Sequence, residues 1–86
     1  MLFRSIADVV SNKISVFPNP VTDKLTVNNI GGYTDFEIYN VLGETIERSN
    51  LSQNTISTSQ LNEGIYFIRF TNAASASEVL QFQKVR

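Results

Sequence analysis

Chemistry in this chain has to come from carboxylates, lysines, tyrosines and hydroxyls, because the sequence contains neither Cys nor His. That absence removes disulfides, thiolate nucleophiles, imidazole bases and the ordinary zinc and haem ligand sets. The acids are Asp8, Asp23, Asp35, Glu37, Glu44, Glu47, Glu63 and Glu78. They are scattered over outward strand positions and turns, which is the pattern of solvated surface charge. Glycoside hydrolysis needs two carboxylates held across one cleft, and a chain of 86 residues has little room for a cleft. Asn28, Asn29 and Asp35 follow the spacing of no calcium loop. Asp23 stands apart. It follows Pro20-Val21-Thr22 and precedes an apolar alternation, so its side chain is expected to accept backbone N–H bonds and fix a turn. No catalytic residue, metal or cofactor is expected, and binding, structural or targeting roles are favoured over enzymes.

Charge narrows the partners. Seven Lys and Arg against eight Asp and Glu leave a formal net charge of -1, so no nucleic acid and no anionic membrane is implied. Phe17, Tyr33, Phe36, Tyr39, Tyr66, Phe67, Phe70 and Phe82 are not interleaved with basic residues, as a single-strand stacking platform would require. They read as core. A β-sandwich adhesion or carbohydrate-binding module is the alternative. It would need an exposed aromatic strip, for which Tyr33 and Tyr39 are the candidates.

The elements that must position these residues are strands. Residues 1–13 read as a linker or the remnant of a preceding domain. Arg4 and Asp8 interrupt the apolar run there, so it is neither a signal-peptide core nor a membrane span. From Ile14 the apolar period is two: Ile14 and Val16, Leu25 and Val27, Phe36 and Ile38, then Ile46, Ile56, and Leu80 and Phe82. The run Ile65 to Phe70 is apolar at almost every position, as in a central strand covered on both faces. About seven short strands at roughly ten-residue spacing predict an all-β, antiparallel, immunoglobulin-like β-sandwich over 14–86. Its expected core is Val16, Leu25, Val27, Ile38, Leu61, Tyr66 and Ile68. Pro18-Asn19-Pro20 reads as a stiff kink ending the first strand, since neither proline can donate to a neighbour. Asn40 is placed to open a hairpin turn that Gly43 closes with a positive φ. Gly64 supplies unusual φ before the most apolar strand. Tyr66 can bury its ring and hydrogen-bond its hydroxyl.

Three segments resemble, in order, the motif blocks of type IX (Por) secretion system C-terminal sorting domains of type A. Ile14-Ser15-Val16-Phe17-Pro18-Asn19-Pro20-Val21-Thr22-Asp23-Lys24-Leu25-Thr26-Val27 resembles the opening motif. Phe36-Glu37-Ile38-Tyr39-Asn40-Val41-Leu42-Gly43-Glu44 resembles the central hairpin, and Ile56 to Ile68 the late motif. The resemblance implies a non-catalytic sorting signal at the end of a cargo protein of a Gram-negative bacterium. The cargo would pass through the periplasm, cross the outer membrane by the type IX translocon and its shuttle proteins, and reach the cell surface or the medium. A sortase-like surface peptidase would remove the domain before Ile14, within or upstream of Ala7 to Lys13. The residues carried over as sorting candidates are Pro18, Asn19, Pro20, Asp23, Gly43, Leu61, Gly64, Tyr66, Lys84 and Arg86. Leu80 and Phe82 are expected to close the core. Lys84 and Arg86 are expected to stay exposed on a free final strand whose edge a receptor can pair with.

Overall fold

The structure, a computed structural model, describes residues 13–86. The linker reading of residues 1–12 lies outside them. Seven strands follow in order: β1 Ser15–Phe17, β2 Lys24–Asn28, β3 Tyr33–Asn40, β4 Thr45–Asn50, β5 Thr55–Ser57, β6 Gly64–Asn72 and β7 Ser77–Lys84. They form a three-stranded sheet of order β1-β2-β5 and a four-stranded sheet of order β4-β3-β6-β7, antiparallel throughout. This is an immunoglobulin-like sandwich with its fourth strand on the larger sheet.

Alternation decides which face each strand buries. In β2, Leu25 and Val27 are buried between exposed Lys24 and Asn28. In β3, Phe36 and Ile38 face inward, and in β6 so do Tyr66, Ile68 and Phe70. The expected core residues Leu25, Val27, Ile38, Leu61, Tyr66 and Ile68 are buried, and Val16 packs half-buried against them. Phe70 and Phe82 are wholly buried, and each such side chain stabilises the fold by about 1.5–3 kcal/mol. Connections add Val21, Leu51 and Leu61 to the same cluster.

One strand expectation is corrected. β6 is central in its sheet, but only one of its faces lies under the other layer. Ile65 and Phe67 on the outer face are half-buried, because among the described residues no second layer lies over them. Phe67 instead stacks on Tyr39 at 5.7 Å, with the Arg69 guanidinium 5.5 Å above the Tyr39 ring. Ile46, on the edge strand β4, is also exposed.

Two hairpin turns share one design. After β3, the Asn40 side chain accepts the N–H groups of Leu42 and Glu44, and Gly43 N–H donates to Asn40 C=O at 2.9 Å with φ 87°. After β6, Asn72 accepts the N–H groups of Ala74 and Ala76, and Ser75 N–H donates to Asn72 C=O at 2.9 Å with φ 71°. The asparagine replaces backbone partners that the reversing chain lacks. Glycine takes the left-handed position without strain in the first turn, while serine bears it in the second.

Candidate recognition site

Strand register brings the three motif blocks and the tail to one end of the sandwich. Asn40 lies opposite Tyr66, Tyr66 opposite Phe82, and Gly64 opposite Lys84. The hairpin 40–44, the corner 58–66 and the tail 82–86 therefore share that end. Val21 joins them through a parallel bridge to Lys84.

The segment Pro18-Asn19-Pro20 does more than redirect the chain. Both of its X-Pro bonds are cis. Asn19 Oδ1 accepts the Gln83 N–H at 2.9 Å, and its Nδ2 donates to Gln81 C=O at 3.4 Å. Val21 N–H then donates to Gln83 C=O at 2.8 Å, and Val85 N–H donates to Val21 C=O at 2.9 Å. The side of β7 that faces away from β6 is thus occupied over its last residues. This corrects the expectation of a free final strand. The prolines lack N–H groups, so the asparagine between them and Val21 after them make the bonds.

Asp23 acts differently from its expected role. Its carboxylate holds no backbone N–H among the described residues. Its main-chain carbonyl accepts the Thr58 N–H at 2.8 Å, while Thr58 Oγ1 donates to Thr22 C=O at 3.2 Å. Thr58, wholly buried, couples the opening motif to the late one. Nothing in its sequence context singles it out, because its partners are backbone atoms remote in the chain.

In the late motif, Leu61 is buried and its N–H donates to Thr58 C=O at 3.1 Å. Gly64 has φ 154°. Tyr66 stacks on Phe82 at 5.7 Å, and its hydroxyl donates to Asn62 C=O at 2.8 Å. A tyrosine bonded back to the corner that precedes its strand is the tyrosine corner of immunoglobulin-like domains. It locks the 58–64 connection against β7.

The tail divides. Arg86 is exposed and pairs with Glu63 at 3.0 Å. Lys84, expected outside, is buried at 7% exposure. Its parity explains this: Phe82 and Lys84 lie two apart in β7 and share the inner face. The alternation already visible in the sequence carries that signal. Leu80 is half-buried and Phe82 wholly buried. Val41 and Leu42, at the hairpin tip, are 65% and 78% exposed.

Tyr33 and Tyr39 form no strip. Tyr33 packs edge-on against the buried Phe70, while Tyr39 lies on the outer face with Phe67.

The fold and this end of it define a small all-β module whose motif blocks are pinned together by backbone bonds to the last strand. The chain belongs to the secretion system C-terminal sorting domain family, whose model matches residues 15–82. Members are sorting signals of the type IX secretion system, carried at the ends of secreted proteins. It is similar to an endo-acting ulvan lyase of Formosa agariphila, at 32% identity over 68 residues, covering 74% of this chain and 13% of the lyase. It is also similar to Beta-agarase D of Zobellia galactanivorans, at 32% identity over 63 residues, 73% of this chain and 13% of the agarase. The chain thus spans a small part of the curated relatives it matches. A solved structure of PorZ, a surface component of the type IX secretion system of Porphyromonas gingivalis, shares the fold. Its TM-score is 0.69 at 15% identity, over 85% of this chain and 11% of PorZ.

Proposed function

We propose that the sandwich end carrying the three motif blocks is the face by which the type IX outer-membrane translocon and its shuttle proteins recognise this non-catalytic domain. The carrying observation is the convergence of the 18–23, 40–44 and 61–66 segments with the tail in one place, through strand register and the Asn19 and Val21 bonds to β7. A receptor then reads a folded surface rather than a linear tag. Leu61 and Tyr66 support that surface from within, and Pro18, Asn19, Pro20, Asp23, Gly43 and Gly64 shape its exposed turns. Arg86, Val41 and Leu42 add exposed side chains for a partner to contact. The Val41 and Leu42 side chains stand on a turn held by five hydrogen bonds of Asn40 and Glu44, so a partner gains apolar area at little ordering cost. The cargo preceding the domain crosses the periplasm with it, and a sortase-like surface peptidase separates the two before Ile14.

The test fuses residues 14–86 behind a periplasmic reporter in a host with the secretion system. Reporter activity is expected in the medium or on the surface. A Val41→Ser, Leu42→Ser fusion is expected to stay periplasmic while the isolated variant melts like the parent. Export of that variant at the parent's level would remove the hairpin tip from the recognised face. A periplasmic parent fusion would overturn the sorting reading of this end.

A further inference from the structure

The inner face of β7 contains one residue that packing alone would not choose. Leu80 and Phe82 run inward and Lys84 continues the stripe, 7% exposed. Its side chain has no hydrogen bond or ion pair with any described residue. Its ammonium has three donors and no acceptor of its own, and no protein acceptor among the described residues takes them. Lys84 lines a recess of about 250 Å³ with Ser59, Leu61, Asn62, Glu63 and Arg86. Glu63 is the nearby acid, but Arg86 engages it at 3.0 Å on the exposed rim. The inner cation therefore has no counter-charge.

We propose that this recess is a carboxylate-binding site that takes an aspartate or glutamate side chain of a protein partner. Lys84 supplies the charge, and Asn62 and Ser59 line the same space. One unpaired cation beside a rim carboxylate matches a singly charged acid better than a doubly charged phosphate or sulfate, which Glu63 repels more strongly. The recess lies at the end where the motif blocks meet. Identifying the partner as the secretion machinery rests on the sorting reading above; the binding site itself does not.

The probes are a blocked tripeptide Gly-Glu-Gly, its Gly-Gln-Gly counterpart and inorganic phosphate, added to the full 86-residue chain. The Cε–Hε signal of Lys84 is followed by NMR. The Glu peptide is expected to shift that signal saturably, and the Gln peptide is not. Lys84→Met keeps the apolar stem, and the affinity for the Glu peptide, read from backbone amides of residues 59–63, is expected to fall roughly tenfold or more. Arg48→Gln, on the exposed edge strand β4 and away from the recess, is expected to keep it. Equal shifts with the Glu and Gln peptides overturn the site, as does a folded Lys84→Met chain that binds like the parent. Tighter binding of phosphate than of the Glu peptide overturns the carboxylate assignment. If Lys84→Met does not fold, the Glu-against-Gln comparison in the parent chain decides. Failure of the peptide to bind in a domain whose fusion is exported sinks the site and leaves sorting intact. Binding by a domain whose fusion is retained sinks only the sorting role.

Discussion

Asn19→Ala should loosen, without opening, the clamp between the tail and the opening motif at a modest and calculable cost. Two side-chain bonds are lost, one from the Gln83 N–H at 2.9 Å and one to Gln81 C=O at 3.4 Å. Both sites are exposed, so water replaces the missing partners and no full desolvation penalty applies. The short bond is worth about 1 kcal/mol, and the long one about half that or less. The backbone bonds of Val21 with Gln83 and Val85 remain, so the loss is local. The expected destabilisation is about 1–1.5 kcal/mol, read as a lower urea midpoint with an unchanged slope. Asn19→Asp keeps the acceptor and loses the donor, and should cost about 0.5 kcal/mol. Amide exchange separates the two variants. Gln83 should lose about five- to tenfold of its protection in the alanine variant and nearly none in the aspartate variant. An alanine variant with the parent's midpoint and a fully protected Gln83 amide would refute the clamp.

Gly64→Val is expected to cost about 1–3 kcal/mol through backbone strain at φ 154°, because the nearest atom to an added Cβ, Tyr66 Cε2, is 4.0 Å away and leaves room. The control is Gly31→Ala, in open space and outside the left-handed region, which should stay within about 0.5 kcal/mol of the parent in the same denaturation series. An unchanged Gly64→Val midpoint means that this φ carries no strain. Ser75→Gly should stabilise by about 0.5–1 kcal/mol, since relief of about 1–2 kcal/mol at φ 71° exceeds the entropic cost of glycine. A thermal midpoint that falls would show that the Asn72 turn holds serine without penalty.

Several features of the site were legible because they depend on local chemistry. Gly43 and Asn40 lie a few residues apart and solve one turn between them, so residue types sufficed. Tyr66 and Gly64 flank a single corner, and a buried tyrosine hydroxyl needs a nearby acceptor. Asp23 was placed at the right junction but with the wrong atom. The acceptor for Thr58 is its backbone carbonyl, and residue identity says nothing about which main-chain groups a distant segment will need. For Lys84, charge points outward and strand parity inward, and parity decides its burial. The chain's period of two outranks a single charged side chain once the strand is paired on one side and clamped on the other.

The amino-acid sequence by itself determined the strands, their inward faces and the two-layer class. Each follows from apolar alternation and turn residues acting within about ten positions. It also determined the order of the motif blocks by which the family is recognised. Tertiary structure alone decided that those blocks meet at one end, that Asn19 and Val21 close the outer side of β7, and that an uncompensated ammonium lines a recess there. The contacts that make these arrangements join residues far apart in the chain, from Gly64 opposite Lys84 to Asn19 bonded to Gln83. They are bonds to main-chain groups and register relations, which exist only once both sheets have formed and which no side-chain pattern encodes locally.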